Sequence, residues 1–136
     1  VGRFWVSVGA LALLSMVLGF VVHGVLLSGD YAQLPNLFRT EADAQAHLPA
    51  ILLHHLLRGL GITWIYRQGR EAGKPWLGQG LRFGAVLAAL LAVSTYLVYY
   101  GVQPWPAGVV LKQMAFDSIA TLILGIAAAG MNSKPA

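Results

Sequence analysis

The chemistry open to this chain rests on a short set of side chains set in apolar sequence: His23, His54, His55, Arg58, Tyr96, Lys112, Gln113 and Asp117. Arg58 and Asp117 have opposite charge, and a charge at the centre of a membrane helix costs about 2.5 to 3.5 kcal/mol on insertion scales. Two such groups at one depth predict a pair, with the carboxylate accepting a charge-assisted hydrogen bond from the guanidinium. Such a pair lines a polar pocket or, in the plainer reading, only fixes the rotation and register of two helices. Gln113, Asp117, Thr121 and Gly125 recur every four residues, and His47, His54, Arg58 and Gly61 follow steps of seven, four and three, so each set is expected on one inward face. Lys112 has a stem long enough to snorkel outward.

The histidines raise two further chemistries. Imidazoles on facing helices can ligate haem iron axially, and His23 with His54 or His55 is the available pairing. A divalent metal held by His23, His54, His55 and Asp117 is a permitted nitrogen and oxygen set, yet no compact motif such as HExxH accompanies it. Adjacent helical residues point about 100° apart, so His54 and His55 are not expected to serve one small site. No metal or cofactor is therefore expected, with haem or a quinone-like ligand as alternatives. The chain has no cysteine, which excludes disulfides, thiolate metal sites and c-type haem attachment. There is no GxSxG, Walker loop or GxGxxG fingerprint; GQGLRFG has no preceding strand, and Ser94 and Ser118 lack the spacing of a triad. The reading is non-enzymatic.

The elements that must position these residues follow from composition. The chain has 136 residues, 57% hydrophobic and 10% charged, with a mean hydropathy of +0.68, whereas soluble domains carry about 25% charged residues. A spanning helix needs about 20 mainly apolar residues, and four segments qualify: 4–27, 47–66, 81–101 and 107–131. Continuous apolar runs, without the alternation of barrel strands, predict helices. The expected fold is all-α: an integral membrane four-helix bundle, up-down-up-down, forming a single transmembrane domain over 1–136. The run from Phe4 to Leu27 exceeds a signal-peptide core, and Ser28, Gly29, Asp30 and Tyr31 lack a small-x-small cleavage pattern, so it is expected to remain as an anchor.

Lys and Arg counts set the orientation. Arg3, Arg67, Arg70, Lys74, Arg82 and Lys134 fall on one side and Arg39 alone on the other, which places both termini and the 67–79 loop in the cytoplasm of a bacterial inner membrane. In that frame His54 and His55 lie about 10 to 12 Å below the outer boundary, Arg58 about 16 Å, Asp117 about 15 Å, Lys112 and Gln113 about 8 Å, and His23, level with Tyr96, about 6 Å. Trp64, Tyr66 and Trp76 near one face, and Tyr99, Tyr100 and Trp105 near the other, are expected at the lipid interfaces. In TEADAQAH, Thr40 is expected to cap a short helix with Asp43 at N3, or else the stretch is the wet start of the second span with Pro49 in its first turn. The net charge of +4 does not point to nucleic acid, because the cations flank apolar spans.

Small residues recur at helical spacing: Ser15, Gly19 and His23 on the first span, and Gly80, Gly84, Ala88, Ala92 and Tyr96 on the third. Such rows let backbones approach, and packing within the chain is favoured over a seam between copies. The stretch HHLLRGLGITWIYRQGREAGKPWLGQGLRFG, with the earlier HGVLLSGDYAQLPNLFR, resembles small bacterial membrane proteins with four predicted helices and no assigned activity. The resemblance covers most of the chain and implies no reaction, ligand or partner. Likeness to small multidrug transporters stops at size and helix count, since the Glu of their first helix has no counterpart here. The leading expectation is a non-catalytic accessory or structural subunit of a larger membrane complex, respiratory or photosynthetic, or a homo-oligomer, with lipid and membrane proteins as partners. The alternative is a small transporter or ligand-binding protein with an outward-facing pocket formed by Arg58, Asp117, His54 and Lys112. A haem or metal redox protein is the second alternative.

Overall fold

Apolar runs interrupted by prolines and one strained glycine produce an all-helical chain. The computed structural model describes residues 1–133, so Lys134, counted above for orientation, lies outside them. Four long helices, α1 (Gly2–Leu26), α4 (Leu48–Gly69), α5 (Trp76–Val102) and α6 (Ala107–Asn132), are each long and apolar enough to cross a membrane. Between α1 and α4 the chain forms α2 (Ser28–Ala32), a 3-10 turn at Pro35–Leu37 and α3 (Glu41–Ala46). Thr40 caps α3 by accepting from the Asp43 amide at 3.3 Å, and His47 then ends α3 and opens α4 with Pro49 in its first turn. Both expectations for this stretch therefore hold together.

The third span begins at Trp76, not near residue 81. Pro75 supplies the fixed φ for the helix start, and the connection ahead of it folds around the Gln79 amide. Gln79 accepts from the Glu71 amide at 2.7 Å and donates to the carbonyls of Glu71 and Lys74, each at 3.1 Å. Gly73, at φ 73°, makes the one left-handed turn that this wrap requires. Glu71 also pairs with Lys74 and, at 2.6 Å, with Arg82.

The helices pack in two close pairs, α1 with α4 and α5 with α6, and α6 also touches α1 and α4. Each close pair depends on glycine. A Cβ on Gly125 of α6 would lie 2.6 Å from the Gly84 nitrogen and 2.8 Å from the Gly80 carbonyl of α5. A Cβ on Gly59 of α4 would meet the Val8 carbonyl of α1 at 2.6 Å. The small-residue row of α5 is thus consumed inside the chain. At the end bearing the first residues, Asn132 donates to Ser7 at 2.7 Å and Arg70 donates to the Asn132 carbonyl. Leu11, Ile62, Tyr66, Leu87, Leu124, Ala128 and Ala129 form the main core there. Tyr66, expected at a lipid interface, is instead 3% exposed and packs on Phe83, because its helix face points at α1 and α6.

Neither α1 nor α5 is α-helical throughout. Phe20–Leu26 and Ala89–Val93 are π-helical; the Leu27 amide, for example, reaches back to the Val22 carbonyl at 2.9 Å. Hydroxyls serve the carbonyls where these wide turns end, Ser28 on Val25 at 2.9 Å and Ser94 on Leu90 at 2.7 Å. Freed backbone acceptors in apolar surroundings need such partners.

Gly84→Ala or Gly125→Ala is expected to cost about 1 to 3 kcal/mol by overpacking, whereas Gly101→Ala, whose Cβ meets nothing within 4 Å, should be neutral or mildly stabilising; unfolding midpoints in detergent compare them. Lys74, then Arg82, hold the Glu71 carboxyl below its usual range. A depressed carboxyl contributes above its unfolded pKa and loses that contribution as pH falls through the folded value. The protection factors of the 70–74 amides, which remove the intrinsic pH dependence of exchange, should therefore fall on acidification below about pH 4 in the wild type, and Glu71→Gln should show low protection at both pH values.

Candidate functional site

The N-terminal half of α4 stands away from the bundle, with every residue from Leu48 to Leu57 exposed except His55. The gap is a cavity of about 510 Å³ bounded by α1, α4, α5 and α6. His23, His54, His55, Arg58, Tyr96 and Asp117 all line it, among Leu18, Phe20, Ile51, Leu52 and Leu91. Sequence placed these ionisable groups at comparable depth, and the fold brings them to one space.

Their pairing differs from the expected one. Arg58 and Asp117 form no ion pair; Arg58 donates to the Thr121 hydroxyl at 2.9 Å, and Thr121 donates to the Asp117 carbonyl at 2.6 Å. The Asp117 carboxylate is occupied elsewhere, by His23 Nε2 at 3.2 Å and by the Tyr96 hydroxyl. Thr121, one turn below Asp117 on the same face, reaches the guanidinium first. The π-helical segment of α1 contains His23, and that of α5 ends just before Tyr96, so the two ligands of the carboxylate are aimed by departures from α geometry. Wide turns of this kind are often found at functional sites.

A chain of hydrogen bonds runs outward from the carboxylate. Gln113 donates to the Tyr31 hydroxyl at 3.1 Å, that hydroxyl lies 2.6 Å from His23 Nδ1, and His23 Nε2 faces Asp117. Burial raises the Tyr31 pKa, against the lowering hydrogen bond from Gln113, so the phenol keeps its proton at neutral pH. Tyr31 lies on α2, outside the spans, and no periodicity could have found it. It stacks 4.6 Å from Phe38, which meets Trp105 at 5.6 Å, closing an aromatic cap over this end.

Two further expectations need correction. Lys112 does not join the cluster: it is exposed and pairs with Asp30 at 2.8 Å, the snorkelling alternative. His47 is exposed and bonds the Asp43 carbonyl at 2.8 Å, so its stripe does not face inward along its whole length. His54 and His55 approach edge to face at 4.9 Å, both on the cavity, although His55 is held by Ser15 at 2.8 Å. Among the described residues no three His, Asp or Glu side chains converge to hold a metal, because His23 and His55 are tied to separate partners. Both His23 nitrogens have hydrogen-bond partners.

Chemically, the cavity offers hydrogen-bond donors in apolar walls. Arg58 has five N–H donors and one protein acceptor, and its Nε is buried without a partner. In comparisons with known proteins, the chain matches no family model, no curated protein and no solved structure.

Asp117→Asn keeps a carbonyl for Tyr96 and should be tolerated better than Asp117→Leu, which strands Tyr96 and His23 at a cost of about 1 to 3 kcal/mol. Thr121→Val should cost a similar amount by leaving Arg58 without its acceptor. Denaturation in detergent micelles ranks the three, and equal loss for both Asp117 variants would contradict the assigned network.

Proposed function

We propose that this chain is a multi-pass membrane protein that binds a lipid-soluble ligand in the cavity around Arg58. The spans run up-down-up-down through a bacterial inner membrane, with both termini and the 70–75 connection on the cytoplasmic side. Four apolar helices, outward faces rich in leucine and valine, and the bias of Lys and Arg support that placement. The cavity then opens in the outer half.

One observation carries the ligand reading: a permanently charged guanidinium, with a single protein acceptor, lies on an apolar-walled cavity of about 510 Å³. A residue serving packing alone would have its donors satisfied, since buried polar groups without partners are costly. The cavity falls within the size of small-molecule sites, roughly 300 to 1,000 Å³, which pair apolar walls with a few placed polar groups. The accessory-subunit reading rests on smallness, absent catalytic motifs and small-residue faces. Those at Gly59, Gly80, Gly84 and Gly125 are used within the chain, which removes that last support.

Mass spectrometry of protein purified in gentle detergent from native membranes is expected to find a stoichiometric small molecule that Arg58→Gln loses. A stoichiometric protein partner with no small molecule would return the chain to an accessory role. Because the chain lacks cysteine, Ala42→Cys and Ala72→Cys report topology: a membrane-impermeant maleimide should label the first from outside and the second only after lysis.

A further inference from the structure

The cavity continues sideways. His54, Arg58, Leu91 and Thr95 line both it and a second hollow of about 520 Å³ between α4 and α5. Ile65, Leu87 and Leu90 carry that hollow into a third, of about 360 Å³, which reaches Tyr66 and Gln79. Helices α4 and α5 do not pack closely on one another, so the three spaces make one furrow along their seam. From Arg58 to Gly69 it follows α4 for about 16 Å, half the hydrocarbon core of a bilayer. Its walls below Arg58 are mainly Leu57, Ile62, Ile65, Leu87 and Leu90.

Charge decides what head can sit at its polar end. Asp117 and Arg58 balance in formal charge, although they do not touch. An anionic head would leave an excess negative charge near the centre of the membrane, whereas a neutral head with carbonyl acceptors takes the unused N–H groups of Arg58 at no net charge. His54 stands beside Arg58 as a further hydrogen-bonding group.

We propose that the occupant is a quinone-type lipid: a neutral ring bearing carbonyl oxygens, held at Arg58 and His54, with its hydrocarbon chain lying in the furrow between α4 and α5. This inference rests on the ligand-binding reading and narrows it to one chemical class. Access is lateral, from the lipid, and the ring needs no path through water.

The test uses the full chain in phosphatidylcholine nanodiscs, with empty nanodiscs as the partition control. The probes are a decyl-substituted benzoquinone, the same ring without the chain, and decanoate. The decyl quinone should bind at one per chain, and Arg58→Gln should weaken it by about tenfold or more, the worth of one charge-assisted hydrogen bond. Gly61 lines the furrow and its Cβ would meet nothing within 4 Å, so Gly61→Phe introduces a ring there from an uncrowded Cβ. It should weaken the decyl quinone and leave the chainless ring unchanged, with an unaltered unfolding midpoint showing that the bundle is intact. Equal binding of the decyl quinone to Gly61→Phe and wild type overturns the furrow. Binding of decanoate in place of the quinone overturns the neutral head but leaves a ligand site at Arg58. If none of the probes binds the folded protein, while a different small molecule co-purifies from native membranes, the quinone class fails alone; if nothing co-purifies either, the ligand-binding reading falls with it.

Discussion

Contact between the backbones of α5 and α6 at Gly80, Gly84 and Gly125 sets the geometry of the rest. Between helices this apolar, dispersion and hydrogen bonds act at short range, and glycine permits the shortest range. Once α5 is committed to α6, and α4 to α1 through Gly59, the seam between α4 and α5 stays open, with Gly61 and Gly69 lining it unpacked. The furrow and the splayed N-terminal half of α4 are the geometric remainder of those two choices. A residue with a side chain at position 84 or 125 would push α5 outward and alter the seam as directly as any change in its walls.

The polar network is arranged so that no single partner satisfies a charge. Asp117 is shared by two helices and Arg58 is tied through a hydroxyl, so four elements contribute to one electrostatic unit: α1, α4, α5 and α6. Direct pairing of Arg58 with Asp117 would have fixed two helices and left little to bind. The indirect arrangement keeps a donor surface on the cavity, at the cost of unsatisfied hydrogen-bonding capacity.

Much of this architecture was legible in the sequence, for reasons that also explain the misses. Uninterrupted apolar runs identified four spans, and the four-residue recurrence of Gln113, Asp117, Thr121 and Gly125 identified an inward face; Gln113 and Thr121 are indeed buried. The start of α5 was hidden because Pro75 and the glycines around it read as one turn, although Gly80 already stood in the row expected to allow close approach. Opposite charge at like depth pointed to Arg58 and Asp117 together, but the choice of contact was made by hydroxyls, whose short reach leaves no pattern in sequence. Tyr31 was invisible for a different reason: it reaches His23 from a connecting segment, where neither the 3.6 period nor hydropathy carries information.

The two π-helical segments have a consequence for how the chain tolerates change. Each closes hydrogen bonds over one more residue than an α-turn, so in α5 the turns before Ala89 and after Val93 hold separate rotational phases, and in α1 the last seven residues are wound more widely than those before them. The half beside the glycine contacts and the half beside the cavity are thus geared independently. Side chains on the polar half can be exchanged or re-aimed by local rewinding without turning the glycine rows away from their partners. The bundle has, in effect, a fixed chassis and an adjustable head, joined by two slip couplings.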